Sequence, residues 1–296
     1  MSIVAACTSP HTTVVKRDGA DGGAANTPGA SGDDSNGDPG SVPPPPTMSV
    51  ALTITHETMP LGGMDRSYIL AVPQSYDSSK SYPLVLALHG NPGTPDEMLA
   101  AFPFDSAGGE TVVAYPEAAG DNWDLATPAA SNVDMQFVQA LPAEIAKKAN
   151  VDAARVYGLG FSGGAFFLNQ ITCQIPGVFK AIASHSGGAP YENGAQTWPN
   201  GCVKCAGSPT PAIVIHGTAD TEVSPDDGKF SAACWATTDG CWQDPDGWPQ
   251  TTPSMCKRAS TCNVVSPVEL CLVDGLGHAP WSDAPTVAWS FFRSIL

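Results

Sequence analysis

The run Arg155-Val156-Tyr157-Gly158-Leu159 leads directly into Gly160-Phe161-Ser162-Gly163-Gly164 and then into Ala165-Phe166-Phe167-Leu168. Few folds accommodate an apolar run, a glycine-flanked turn and a second apolar run in immediate succession. The first run reads as a short strand and the last as the start of a helix. Gly160, Ser162 and Gly164 match the pattern G-x-S-x-G, which places a serine hydroxyl on a sharp strand-to-helix turn. A side chain two residues either side of the serine would block the close approach of strand and helix, and glycine also tolerates strained backbone angles. The pentapeptide alone is weak, so its meaning rests on what the rest of the chain supplies.

The apolar runs around it describe a sheet. Val50 to His56 alternates apolar and polar, Gly62-Gly63 turns, and Arg66 to Val72 returns, which reads as an antiparallel hairpin. Pro83 to Leu88 and Thr111 to Tyr115 are continuous apolar runs of the kind buried on both faces of a parallel sheet. Arg155 to Leu159, Phe179 to Ala183, Pro211 to Ile215 and Val268 to Val273 read the same way. Asn132 to Ala149 and Ala284 to Ile295 have helical spacing. Strands alternating with helical segments predict an α/β fold, a mainly parallel central sheet with helices on both faces. No stretch approaches the ~20 apolar residues of a transmembrane helix.

In such sheets the chemistry gathers at the carboxyl ends of the strands. Here those ends read His89-Gly90-Asn91-Pro92-Gly93, then the Ser162 turn, then His216-Gly217-Thr218-Ala219-Asp220, then Asp274-Gly275-Leu276-Gly277-His278. Each is a Gly-rich loop with a polar group. The order Ser162, Asp220, His278 is that of an α/β-hydrolase. In those roles Ser162 is the nucleophile, His278 the base and then the acid, and Asp220 the group that orients the imidazole. The backbone amides of Gly163 and Asn91 are the candidate oxyanion donors. Asp274 is a rival acid that can instead shape its loop. His89 and His216 end strands in His-Gly pairs and read as loop buttresses. His89, His185 and Trp281 are also candidates for the wall of a substrate pocket.

Composition bounds the partners. The chain of 296 residues carries a net charge of -16, which argues against nucleic acid, since phosphate binding needs clustered Lys and Arg. It suits neutral esters and sugars. Residues 8–47 are rich in Gly, Asp, Ser, Ala and Pro and end in Pro43-Pro44-Pro45-Pro46, so they read as a disordered linker. Residues 48–296 form the expected single domain, monomeric and large enough to bury a sizeable core. There are nine cysteines. Cys173, Cys202, Cys205, Cys234, Cys241, Cys256, Cys262 and Cys271 form an even set, which predicts disulfides and an oxidising compartment, with the pairing open. Cys202-x-x-Cys205 has zinc-ligand spacing, but no second half completes the site, so no metal is expected. The tryptophans among these cysteines, Trp235, Trp242 and Trp248, can stack a sugar or phenolic ring, or build a small disulfide-stapled core.

Two resemblances sharpen this. Val4-Ala5-Ala6-Cys7 resembles the lipobox of bacterial lipoproteins, which implies residues 1–7 as the remnant of a signal and Cys7 as a lipid anchor to a membrane. The segments Tyr82 to Gly90, Gly160 to Gly164, Ile215 to Asp220 and Gly277-His278-Ala279-Pro280-Trp281 resemble the secreted feruloyl esterase and polyhydroxybutyrate depolymerase family of α/β-hydrolases. That resemblance runs from about Met48 to the C-terminus and implies an exported serine carboxylesterase that needs no cofactor and acts on neutral, possibly carbohydrate-linked esters. It places the disulfide-rich segment before the last strand. A depolymerase of hydroxybutyrate oligomers and a non-catalytic surface lipoprotein are the alternatives. Where the family's depolymerases often carry a cysteine after His-Gly, this chain has Asn91.

Overall fold

A computed structural model describes residues 12–15, 51–104, 110–192, 194–207, 209–238, 240, 244–260 and 266–295. Ten strands join one sheet: β1 (Thr12–Val15), β2 (Leu52–Leu61), β3 (Met64–Pro73), β4 (Tyr82–Leu88), β5 (Val112–Pro116), β6 (Val151–Phe161), β7 (Ala181–His185), β8 (Ala212–Gly217), β9 (Cys256–Arg258) and β10 (Val268–Val273). Their spatial order is β1-β2-β3-β5-β4-β6-β7-β8-β10-β9. The six from β5 to β10 in that order pair in parallel. The hairpin β2–β3 turns at Gly62 and Gly63, both at positive φ (61° and 84°), where a Cβ would be strained.

The strands read as apolar runs because both faces are covered. Leu84, Leu86 and Leu88 of β4 face one core cluster, and Val85 and Ala87 face the other. This is the two-residue alternation of a pleated strand with no wet side. The helices α2 (Val133–Ile145), α3 (Gly163–Gln174) and α4 (Pro225–Thr238) cover the first face through Phe137, Phe167 and Trp235. The helices α1 (Pro95–Ala101) and α5 (Ala284–Arg293) cover the second through Met98 and Phe292. Among the described residues no helix is long and apolar enough to cross a membrane.

The structure differs from the sequence reading at one point and answers two that it left open. Cys7 and most of the 8–47 segment lie outside the described residues, but Thr12–Val15 forms β1 and pairs antiparallel with Leu52 to Thr55. Four consecutive β-branched residues favour that extended backbone. Cys173 pairs with Cys205, Cys202 with Cys234, and Cys256 with Cys271. The two cysteines of the C-x-x-C motif thus go to different partners, which leaves no free thiolate pair for zinc. Trp235 and Trp248 are buried in the first core, so the core reading holds for both. Cys241, Cys262 and Trp242 lie outside the described residues.

One buried ion pair ties the hairpin to the helical layer. Arg66 of β3 meets Asp134 of α2 at 2.7 Å, with side chains 4% and 1% exposed. The guanidinium also donates to the carbonyls of Val133 and Glu117 and lies over the Phe137 ring. The Asp134 carboxylate accepts from the amides of Ala119 and Asp124. Both terminal nitrogens of the guanidinium and both carboxylate oxygens are thereby occupied, the condition under which a buried charge is tolerated.

Candidate active site

The bend after β6 is strained in the way its glycines permit. Ser162 sits at φ 50°, ψ -120°, immediately before α3. A Cβ on Gly160 would lie 2.4 Å from the Gly164 carbonyl oxygen, and one on Gly164 would lie 2.3 Å from the carbonyl oxygen of His89. Strand, helix and the loop after β4 therefore touch backbone to backbone. A non-glycine residue at positive φ is costly, and it persists where the surroundings over-determine it. Here the Ser162 amide is held by the His185 carbonyl at 2.9 Å.

Three side chains from three strand ends converge. The Ser162 hydroxyl lies 2.9 Å from His278 Nε2, and His278 Nδ1 lies 2.9 Å from Asp220 Oδ2. A carboxylate only accepts, so Nδ1 carries the proton and Nε2 is free to accept from the serine. Burial opposes ionisation of Asp220. The Val223 amide, the His278 ring and the Glu222 amide more than offset it, so the carboxyl stays below its usual range. Asp274 is engaged elsewhere: it accepts from Thr218 Oγ1, which in turn accepts from the Gly275 amide. It shapes its loop. One acid went unnoticed in the sequence: Glu222, 73% exposed, brings a carboxylate oxygen to 3.9 Å from His278 Nε2.

The loop after β4 supplies donors. A Cβ on Gly163 would fall 2.8 Å from the Asn91 amide nitrogen, so the two backbones are in contact beside Ser162. Among the described residues neither amide donates to an acceptor. The Asn91 side chain is pinned, its Oδ1 accepting from the Trp123 amide at 2.9 Å and its Nδ2 donating to the Trp123 carbonyl. Two free amides fixed next to a hydroxyl–imidazole pair can receive the negative charge that develops on a carbonyl oxygen when a hydroxyl attacks its carbon.

His89 and His185 do not reach a pocket. His89 is 1% exposed, donates from Nδ1 to the Gly90 carbonyl and accepts at Nε2 from the Ala118 amide. Burial pushes its pKa down. His185 is fully buried, bonds Ser186 Oγ through Nδ1 and accepts the Trp281 amide at Nε2. Burial, with the neighbouring His216 and His278, pushes its pKa down to about 3. Both rings have spent their nitrogens on holding loops, which corrects the pocket-wall expectation. Trp281 is half-buried against the second core, on the side of α5. His216 likewise buttresses a loop, its Nε2 donating to the Val223 carbonyl at 3.0 Å.

No family model matches the chain. It is 26% identical over 255 residues to feruloyl esterase C of Emericella nidulans, a match covering 82% of this chain and 88% of that protein. It is 26% identical over 252 residues to feruloyl esterase B of Piromyces equi, covering 78% of this chain but only 45% of that protein. Among solved structures, an acetyl xylan esterase from Aspergillus awamori superposes with a TM-score of 0.61 at 20% identity, over 77% of this chain and 94% of that one. The last likeness concerns the fold.

Proposed function

We propose that the chain is a feruloyl-esterase-like carboxylic ester hydrolase of the α/β-hydrolase fold, and that it cleaves neutral, plant cell-wall esters through Ser162, His278 and Asp220. The observation that carries the reading is the unbroken line from Ser162 Oγ through the His278 ring to Asp220, with both links at 2.9 Å.

The steps follow from that line. Ser162 Oγ attacks the ester carbonyl carbon as its proton passes to His278 Nε2. The carbonyl oxygen becomes an oxyanion held by the Asn91 and Gly163 amides. Asp220 stabilises the imidazolium and keeps its tautomer. The C–O bond to the alcohol then breaks, and His278 gives its proton to the leaving oxygen. Water, deprotonated by the same imidazole, attacks the acyl-enzyme and releases the free acid and the serine. Ser162, His278 and Asp220 end the cycle in the state in which they began, and water is the only co-reactant.

Feruloyl-esterase names among the relatives favour feruloyl esters over hydroxybutyrate oligomers. The three disulfides among the described residues fit an oxidising, extracytoplasmic compartment. The test is Ser162→Ala assayed on methyl ferulate and p-nitrophenyl butyrate. Losing the nucleophile should lower kcat by at least about 10⁴-fold with the fold intact, and a fluorophosphonate probe should label Ser162 in the wild type. Activity within tenfold of wild type in the Ala variant, or no labelling, defeats the assignment.

A further inference from the structure

The three segments that frame Ser162 continue away from it into a second cleft of about 260 Å³. The loop after Trp123, which pins Asn91, gives one wall through Leu125 to Pro128. The helix α3, which starts at Ser162, gives the floor through Gln170 and Gln174. The loop after His185 gives the far wall through Tyr191 and Glu192. Phe166, Gln170 and Gln174 recur every four residues, so they lie on one face of α3 that leads from the reacting serine into this cleft.

Its chemistry is specific. Gln170 is 5% exposed, yet its amide has no hydrogen-bond partner among the described residues. Its polar atoms are not sealed away, and it lines the cleft. The Gln174 Oε1 is buried without a donor, and its Nε2 makes only a long contact of 3.4 Å with the Tyr191 carbonyl. Beside these amides the Tyr191 side chain stands 61% exposed. An apolar occupant would leave the Gln170 amide unpaired, at a cost. An anion would meet Glu192 and the net charge of -16. A ligand that both donates and accepts, and that has an apolar ring face, satisfies all of them: an amide pairs with adjacent hydroxyls, and a tyrosine ring stacks on the C–H face of a sugar.

We infer that this cleft is a glycone-binding subsite, which holds a neutral sugar unit of the alcohol side of the substrate. The inference rests on the esterase reading and deepens it. Gln170 lies eight residues, or about 12 Å of helix, beyond Ser162. That exceeds the span of one sugar ring, so the unit held is a neighbour of the esterified sugar in the chain and not that sugar itself. Small alkyl esters do not reach it.

The experiment compares Gln170→Ala and Tyr191→Ala with the wild type on methyl ferulate and on a feruloylated arabinoxylo-oligosaccharide, and measures binding of the unesterified oligosaccharide by calorimetry. The expected result is a KM for the oligosaccharide ester raised about 5- to 10-fold, the effect of one or two lost hydrogen bonds. The expected kcat is little changed, methyl ferulate stays within twofold, and oligosaccharide binding weakens in parallel. Tyr191 is exposed, so its variant stands even if Gln170→Ala folds poorly. If neither variant changes the ratio of kcat/KM for the two esters by more than twofold, the subsite is wrong while the esterase assignment stands. If the wild type hydrolyses neither ester, the assignment falls, and the calorimetry alone decides the subsite: no oligosaccharide binding overturns it.

Discussion

Asp134→Ala cuts the one fully buried ion pair described above, and its cost can be worked from the contacts. The change strands the Arg66 guanidinium at 4% exposure with its two carbonyl acceptors but no counter-charge. It also takes the acceptor from the amides of Ala119 and Asp124. Removing one member of a buried pair typically costs about 3–5 kcal/mol. At roughly 2–4 °C per kcal/mol for a domain of this size, Tm should fall by about 6–20 °C. The double variant Arg66→Met, Asp134→Leu removes both charges, so most of that loss should return. Activity should behave differently. The 117–124 loop carries Trp123, which holds Asn91, and neither variant restores an acceptor for the two loop amides. We therefore expect kcat on methyl ferulate to stay depressed in the double variant while its stability recovers. Thermal unfolding followed by circular dichroism, with kcat measured well below Tm, checks both halves. A loss under about 1 kcal/mol in the single variant, or no recovery in the double, refutes the reasoning.

Gly163→Ala would place a methyl 2.3 Å from Asn91 Cγ and push the Asn91 amide away from Ser162. Losing one oxyanion donor costs about 10²–10³ in kcat, so steady-state kinetics within tenfold of wild type would count against that role. Stability should fall as pH drops below about 6.5, because the unfolded chain protonates His89 and His185 there while the fold keeps them neutral, His185 down to about 3. The unfolded state binds more protons in that window, so stability rises with pH across it, and His185→Gln should flatten the curve of Tm against pH. Glu222→Gln removes an exposed charge 3.9 Å from His278 Nε2. It should raise kcat/KM for a half-ester of a dicarboxylic acid about threefold relative to a neutral ester, with the gap closing at high salt; an unchanged ratio would show the charge to be irrelevant to selection.

The parallel strands were legible because burial on both faces writes a continuous apolar run. The loops at the strand ends were legible because Gly-rich polar segments follow those runs. Ser162, Asp220 and His278, singled out by their places at strand ends and by chain order, are the three side chains that lie within 2.9 Å links of one another. What escaped is informative. α1 carries a capping box from Thr94 to Glu97 with Pro95 at its first turn, a readable signal hidden by the shortness of the helix. α4 buries Gly228, Ser231, Ala232 and Ala233, small residues that give almost no apolar periodicity although the helix packs tightly. A Cβ at Gly228 would lie 2.4 Å from His216 Nδ1, so the smallness serves close approach. The roles of His89 and His185 depended on which backbone groups meet their ring nitrogens, Ala118 and Trp281 being 29 and 96 residues away. Gln170 carries no signal in the sequence, since its burial is set by elements distant along the chain.

The far margin of the sheet has a consequence for where this chain can fold. β9 is three residues long and forms the edge beside β10, and Cys256 and Cys271 face each other across that pair and are bonded. Without the bond, a three-residue ladder, the Arg258–Glu269 ion pair and a few loop hydrogen bonds would keep β9 in place. Its departure would lay bare the outer backbone groups of β10, a strand whose first four residues are buried. An open edge on an apolar strand is a template for another chain. Oxidation at this bridge is thus a lock on the sheet's border, and chains synthesised in a reducing cytoplasm would meet one another along it before they were finished.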